Sequence, residues 1–179
     1  MNGDYDHLKE YLDRTMKDET RKLISDFAIL WNKYENHLFN NFYRYEKIDT
    51  LIKRLDYSEK FINSIENIFL KLEEYMKKKY ISFEYMDFKE YFEIIIIKYD
   101  FNRQDWKKGD IKEDYLKELL LHDDFEKKLK LLLLVVGRVR NNMFHGLKSA
   151  NQLDDQQLLF IICNELLSTI LYNTCMMDL

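Results

Sequence analysis

The sequence predicts an all-α protein, and its composition, its helical spacing and its lack of helix breakers each support that class. The chain of 179 residues has no proline and only 4 glycines, so few positions interrupt a helix. Hydrophobic residues make up 46% and charged residues 34%, a composition typical of amphipathic helices and not of a disordered chain. Residues 1–179 are therefore expected to form one domain, a helical bundle with two long core helices and a C-terminal apolar helix.

The first half of the chain contains two long apolar stripes at helical spacing. The first predicts a helix from about Asp18 to Phe42, and the second predicts a helix from Ser58 onwards. A short helix is expected between them, in KIDTLIKRL, and a weaker one before them, in YDHLKEYLDRTM. Glu73 and Lys77 form a favourable i,i+4 pair, so the lysine run at 77–79 indicates a solvated helix end.

The second half contains one ambiguous segment and two clear helices. The isoleucines of YFEIIIIKYDF favour a strand, but no partner strand is evident, so a buried helix is predicted, followed by a loop in NRQDWKKGD. Residues 124–145 carry an apolar stripe at helical spacing, with Gly146 as the expected C-cap. Ser149 and Gln152 have capping-box spacing for a last helix from about Asn151 to Met176. The members of the stripe are Leu129, Leu132, Val136, Val139 and Met143.

The charge is uneven along the chain. A net charge of −4 argues against a protein coated with basic surface. Residues 125–148 nevertheless contain only Glu126 as an acid, so this stretch is locally basic. Its basic residues are Lys127, Lys128, Lys130, Arg138, Arg140 and Lys148. Two interpretations remain open: a confined site for an anionic ligand, and a solvated face balanced by neighbouring acids.

The cysteines and the apolar runs bear on location. Cys163 and Cys175 lie in an apolar segment without a CxxC pair, so they are expected to be reduced core thiols and not zinc ligands or a disulfide. The aliphatic block LLLLVV is far shorter than a membrane span, and the N-terminus is too acidic and polar for a signal peptide. A cytoplasmic protein without membrane contact is predicted.

The stretch RVRNNMFHGLK, residues 138–148, combines arginine, asparagine and histidine at the end of a buried helix. Arg140, Asn141, three further residues and then His145 match the R-polar-x3-H signature, and the chain resembles the HEPN superfamily in this respect. That family carries the signature near the end of a long helix, before a final helix. The upstream stretch FAILWNKYENHLF, residues 27–39, is similar to the first long helix of single-domain HEPN proteins.

This resemblance implies a HEPN-type bundle that acts as a homodimeric, metal-independent endoribonuclease without a cofactor. In such enzymes the RNA 2′-hydroxyl attacks the adjacent phosphate and leaves a 2′,3′-cyclic phosphate and a 5′-hydroxyl. The implied role is that of a toxin or anti-phage effector that cuts tRNA or mRNA, with an antitoxin or regulatory protein as a further partner. HEPN toxins neutralised by nucleotidyltransferases often carry a tyrosine two residues after the histidine. Leu147 stands there, which puts that partner in doubt.

The residue types suit this chemistry. His145 titrates near neutrality and serves as general base or acid, while Arg140 remains charged and binds the phosphate. Asn141 supplies an amide that orients His145 or holds a phosphate oxygen. On a straight helix Arg140 and His145 lie about 140° apart. Arg138 shares a face with Asn141 and His145, so Arg138 is a second candidate for phosphate binding.

Several residues carry weaker assignments. Glu35 is expected on the helix that packs against the motif, where it orients Arg140 or His145 or forms a salt bridge at the core edge. Asn142 and Lys148 are assigned supporting or RNA-binding positions, although Asn142 fits a solvated amide better than a catalytic group. Without the family context, His145 is an ordinary helix-terminal histidine.

Two other functions fit the same sequence. A non-catalytic HEPN module would bind a nucleotide, RNA or a partner protein through an intact motif. A plain helical interaction domain would carry the motif by chance. No Walker motif, zinc cluster or serine-type nucleophile constellation is evident, so other enzyme classes have little support.

Overall fold

The computed structural model describes residues 15–44, 47–79, 124–144 and 150–175, and its regular elements there are all helices. They are α1 (Asp18–Phe39), α2 (Ile48–Ile52), α3 (Glu59–Lys79), α4 (Phe125–Phe144), α5 (Ala150–Asp154) and α6 (Gln157–Cys175). The prediction of an all-α protein is confirmed for this part of the chain, which contains no strand. The predicted helix in YFEIIIIKYDF, the loop after it, Gly146, Ser149 and nearly all of the weak N-terminal helix lie outside the described residues.

Helix α1 ends earlier than the sequence predicted, at Phe39 and not near Phe42. Asn40 and Asn41 follow it with φ of 51° and 63°, in the left-handed region that stops a right-handed helix. Asparagine is one of the few residues that tolerates this conformation, and the Asn41 N–H closes the turn on the Glu35 carbonyl at 3.1 Å. The sequence predicted a longer helix because Phe42 and Tyr43 continue the apolar pattern, but both residues belong to the turn that follows α1.

Helix α3 begins where the sequence predicted. The Phe61 N–H donates to Ser58 Oγ at 3.4 Å, so Ser58 caps the helix. The expected pair of Glu73 and Lys77 is formed, with Oε1 and Nζ 2.9 Å apart. This pairing supports the interpretation of the lysine run as a solvated helix end.

The core is built by α6, which packs against both α1 and α3, while α4 packs against α2 and α3. Every member of the predicted α4 stripe is buried except Met143, which is half-buried. Burial is wider than one stripe, because all residues from 131 to 137 are buried. Each fully buried leucine or isoleucine contributes about 1.5–3 kcal/mol relative to exposure. The hydrophobic side chains with no exposed surface in the described ranges are Phe27, Ile65, Leu72, Leu129, Cys163, Leu166, Leu167 and Ile170.

The predicted last helix is two helices, because the chain turns at Asp155 and Gln156 between α5 and α6. The Gln156 N–H donates to the Leu153 carbonyl at 3.0 Å in that turn. The periodicity of the apolar residues continues through the break, which is why the sequence did not indicate it.

Asp154, at the end of α5, caps the start of α1 from across the bundle. Its Oδ1 accepts the Lys17 N–H at 3.1 Å and also accepts the hydroxyl of Thr20, which is fully buried. The Thr20 oxygen in turn accepts Gln157 Nε2 at 2.7 Å. Lys17, the residue before the helix, makes no side-chain cap of its own, so a negative charge from α5 supplies the cap at the positive end of α1.

Two further polar contacts tie α6 to the other helices. Asn173 accepts the Asp56 N–H at 3.0 Å and donates to the Asp56 carbonyl at 2.7 Å, which fixes the turn before α3. Asn164 Nδ2 donates to the Leu23 carbonyl of α1 at 3.0 Å. These contacts join residues far apart in sequence and set the register of α6 against its neighbours.

Cys163 is a free, buried thiol whose pKa is raised by burial, as expected for a reduced core residue. The side chain of Cys175 lies outside the described residues. In the described ranges, no helix has the length and apolar character needed to cross a membrane.

We expect Asp154→Ala to lower the free energy of unfolding by about 1–2 kcal/mol, because α1 loses its cap and the buried Thr20 hydroxyl loses its acceptor. Urea denaturation followed by circular dichroism measures the loss. Asp155→Ala is the matched control, because Asp155 is exposed and adjacent, and it should change stability by less than about 0.5 kcal/mol. Equal stability of the two variants would contradict the capping role.

Candidate functional site

The site begins at Arg140, about one turn before the end of α4, where a buried helix reaches the surface. The guanidinium carbon of Arg140 lies 5.7 Å from the ring centroid of Trp31 in α1, a cation–π contact. Trp31 is only 3% exposed and Arg140 is half-buried, so the contact is partly desolvated and stronger than one in open solvent. This contact joins α4 to α1 through Trp31, a residue that the sequence assigned only to the core.

Asn141 contacts Arg140 directly. Arg140 Nη1 donates to Asn141 Oδ1 at 3.1 Å, while the Asn141 side chain is exposed. The helical spacing had grouped Asn141 with Arg138 on one face, whereas the side chains pair it with Arg140. With its oxygen turned toward the arginine, the asparagine presents an amide nitrogen, which is a donor to an anion.

Glu35 is not in a salt bridge with Arg140, which corrects one of the roles expected for it. Its Oε2 accepts the Trp31 indole N–H at 3.0 Å, and its Oε1 accepts the Tyr43 backbone N–H at 3.1 Å. Both hydrogen bonds involve a charged acceptor and are therefore among the stronger kinds. Glu35 acts on Arg140 indirectly, because it fixes the indole against which the guanidinium lies.

Tyr43 completes this corner of the molecule and was missed by the sequence analysis. Its ring centroid lies 4.9 Å from that of Trp31, edge to face, and 5.2 Å from that of Phe39. A Cβ added to Gly137 of α4 would stand 2.7 Å from the Tyr43 hydroxyl, so only glycine lets the ring approach the helix so closely. A glycine inside a long apolar helix lowers stability by about 1 kcal/mol relative to alanine. Its presence in α4 was the one feature of the sequence that indicated a close contact at this position.

Tyr34 lies deeper in the same aromatic cluster. It is 1% exposed, with its ring centroid 5.4 Å from that of Trp31 and 6.4 Å from that of Tyr43. Burial, and secondarily the nearby Tyr43 hydroxyl, raise the pKa of Tyr34 well above its usual range. Tyr34 therefore stays neutral at physiological pH and acts as packing, not as an acid–base group.

The remaining predicted residues are only partly described. Arg138 is half-buried on α4, two residues before Arg140. His145 and Lys148 lie outside the described residues, as does the side chain of Asn142. The structure therefore brings together Arg140, Asn141 and, through Trp31, Glu35.

The lysines of the basic stretch do not form one uncompensated surface. Lys128 lies 3.2 Å from a Glu66 oxygen, Lys130 lies 2.6 Å from an Asp49 oxygen, and Lys127 lies 3.7 Å from an Asp124 oxygen. For these three residues the contacts support the interpretation of a face balanced by acids. The anion-binding interpretation is thereby confined to the arginine end of α4.

Comparison of the chain with protein-family models, with curated proteins and with solved structures gives no match. Membership of the HEPN superfamily is thus a proposal that rests on residues 138–148 and on the helical layout. Within the described ranges, no group of three or more histidine, cysteine, aspartate or glutamate residues could hold a metal ion.

We expect Gly137→Ala to destabilise the fold by about 1–3 kcal/mol, because the added methyl displaces the Tyr43 ring from its aromatic neighbours. The measurement is a double-mutant cycle by urea unfolding, with Tyr43→Phe as the second change. The alanine should cost less in the Tyr43→Phe background, which lacks the closest atom. The higher helix propensity of alanine cancels in the cycle. An identical cost in both backgrounds would show that the close approach does not constrain the ring.

We expect Glu35→Gln to lower the free energy of unfolding by about 1–3 kcal/mol. A carboxylate offers two acceptors but an amide offers one, so either the Trp31 indole or the Tyr43 N–H loses its partner. Asp26→Asn makes the same chemical change at an exposed site of α1 and is the control, with an expected effect below about 0.5 kcal/mol. A Glu35→Gln protein as stable as this control would contradict the anchoring role of the carboxylate.

Proposed function

We propose that this protein is a metal-independent endoribonuclease of the HEPN type that acts as a homodimer, as a toxin or anti-phage effector cutting tRNA or mRNA. The observation that supports this proposal most is the placement of Arg140. Its guanidinium lies over the Trp31 ring and donates to Asn141, and these two residues stand five and four positions before His145 in the chain. A positioned cation and an amide next to a histidine are the groups that cleavage of an RNA phosphodiester requires.

The reaction in this proposal needs no external nucleophile. A general base removes the proton of the 2′-hydroxyl, and the 2′-oxygen attacks the adjacent phosphorus. The bond from phosphorus to the 5′-oxygen breaks, and that oxygen takes a proton from a general acid. His145 of one or both protomers supplies these proton transfers, since imidazole titrates near neutral pH. The products are a 2′,3′-cyclic phosphate and a 5′-hydroxyl.

Arg140 serves this reaction by stabilising charge. Negative charge grows on the phosphate oxygens as the 2′-oxygen attacks, and a fixed guanidinium stabilises it without reorganising. The cation–π contact holds the guanidinium without using its N–H donors, so an arginine held in this way can still bind a phosphate. Asn141, through its amide nitrogen, is assigned to the same phosphate.

The homodimer is proposed for a geometric reason. Arg140 and His145 lie about 140° apart on a straight helix, so one protomer does not readily direct both at one phosphate. A second copy would bring its own histidine to the arginine of the first. Arg138, on the other side of the helix end, would then bind a flanking phosphate, with Lys148 and Asn142 in supporting positions.

A non-catalytic module is the second candidate, and the described part of the site favours it in one respect. In this candidate, Arg140, positioned by Trp31, and Asn141 would bind a phosphate without any contribution from His145. Such a module would bind a nucleotide, RNA or an acidic partner and release it unchanged.

The test is incubation of purified protein with total tRNA in EDTA, followed by analysis of the fragment ends. The native protein should produce cyclic-phosphate ends. His145→Ala should reduce the rate by about 10²–10⁴-fold, and Arg140→Ala by about 10²–10³-fold. Both variants should keep the helical circular dichroism spectrum of the native protein.

Lys127→Ala is the control, because it removes a cation from the same helix about 20 Å away along the axis. It should cleave RNA at the native rate. Activity that persists in both the His145 and Arg140 variants, or that requires a divalent metal, would refute the proposal. Binding of tRNA without cleavage by the native protein would leave the non-catalytic module as the function.

A further inference from the structure

Phe42 is an aromatic side chain held in an exposed position beside the Arg140 corner. It is 66% exposed, more than any other large hydrophobic residue among those described. Its neighbour Tyr43 is turned the opposite way, into the aromatic cluster and against Gly137. Within this turn, the Tyr43 ring is packed inside the protein and the adjacent Phe42 ring is exposed to solvent.

The turn that carries Phe42 is fixed on both sides. Before it, Asn40 and Asn41 adopt left-handed conformations, and the Asn41 N–H donates to the Glu35 carbonyl at 3.1 Å. The Phe42 N–H donates to the Phe39 carbonyl at 3.1 Å, and the Tyr43 N–H donates to the Glu35 carboxylate at 3.1 Å. An exposed ring on such an anchored backbone binds with little further loss of conformational entropy.

Phe42 is connected to the proposed phosphate site through a series of neighbouring residues. The Phe42 and Tyr43 Cα atoms are about 3.8 Å apart. The Tyr43 ring lies 4.9 Å from the Trp31 ring, which lies 5.7 Å from the Arg140 guanidinium carbon. Phe42 is therefore linked to the guanidinium through the backbone of Tyr43, the Tyr43 ring and the Trp31 ring.

Cationic groups surround the same turn. Lys47 Nζ lies 3.4 Å from the carbonyl oxygens of Phe42 and Phe39, and Arg44 is exposed two residues after Phe42. The acidic residues of this region are Glu46, Asp49, which pairs with Lys130, and Glu35, whose carboxylate accepts hydrogen bonds from the Trp31 indole and the Tyr43 N–H. The cations are Arg44, Lys47 and, from α4, Arg140. An exposed aromatic ring among cations is the arrangement that binds single-stranded nucleic acid, where bases stack and phosphates pair with lysine or arginine.

We infer that Phe42 is a base-stacking residue of this protein, and that it binds a nucleobase of the same strand whose phosphate is held at Arg140. The occupant is single-stranded RNA, with Arg44 and Lys47 contacting the phosphates that follow. This inference rests on RNA being the ligand of the proposed function, and it does not depend on cleavage. It also gives a functional reason for the exposure of Phe42, since an aromatic side chain that served only packing would be buried.

The test measures binding, not cleavage. The probe is a short, fluorescein-labelled, single-stranded RNA of mixed sequence with 2′-O-methyl groups, which cannot be cut by 2′-oxygen attack. Fluorescence anisotropy gives its Kd for the full-length protein. Phe42→Ala should raise the Kd by at least about fivefold, the lower range for loss of one stacked base. Phe42→Trp should retain native affinity, and Phe42→Leu, which keeps apolar area without a ring, should bind as weakly as Phe42→Ala.

Tyr172→Ala is the matched control. Tyr172 is 60% exposed on α6 and has Lys60 Nζ 5.6 Å from its ring centroid, so it is also an exposed aromatic beside a cation. It lines a surface cavity together with Lys33 and His37, which lie on the side of α1 away from Trp31. Its loss should leave the Kd unchanged. An equal loss of affinity in this control would overturn the inference.

Sedimentation of each variant separates RNA stacking from contact between copies of the chain. If Phe42→Ala dissociates a dimer while Phe42→Leu preserves both dimer and RNA affinity, the ring is a protein contact and the inference fails. It also fails if native protein does not bind the probe. Weaker binding by Phe42→Ala in a protein that never cleaves RNA would sustain the inference while refuting the proposed ribonuclease.

Discussion

The anchoring of the Trp31 indole is the interaction on which this corner of the molecule depends. Glu35 fixes the ring through its N–H, Tyr43 packs against it edge to face, and Arg140 lies on it from α4. The ring is 3% exposed, so these contacts operate where water competes little. One aromatic side chain of α1 thereby determines where the arginine of α4 is held.

The same arrangement explains why an acidic residue stands beside a proposed phosphate site. A free carboxylate there would repel an RNA phosphate, but both oxygens of Glu35 accept hydrogen bonds, one from the indole and one from the Tyr43 backbone. The carboxylate therefore serves a structural purpose, and its partial neutralisation by two donors weakens its field toward a ligand. The charges of two α4 lysines are likewise balanced by neighbouring helices, because Lys128 lies against Glu66 and Lys130 lies against Asp49.

The chain is also held by polar contacts between distant segments. Asp154 caps α1 from the end of α5, and Asn173 holds the backbone of Asp56. Apolar helices can slide or rotate against one another at small cost, whereas a cap or an amide pair has one geometry. These contacts fix the positions of α1, α6 and the turn before α3 relative to one another.

The sequence by itself determined the helical class, the start of α3, the buried stripe of α4 and the residues that could carry chemistry, because each depends on spacing or residue type within one segment. It extended α1 too far, since the left-handed turn at Asn40 interrupts no apolar pattern, and it joined α5 to α6 for the same reason. Only the tertiary structure showed that Glu35 accepts a hydrogen bond from the Trp31 indole and that Asn141 accepts one from Arg140. It alone also showed that Gly137 admits Tyr43. These facts depend on distances between helices, and periodicity along one helix carries no information about such distances.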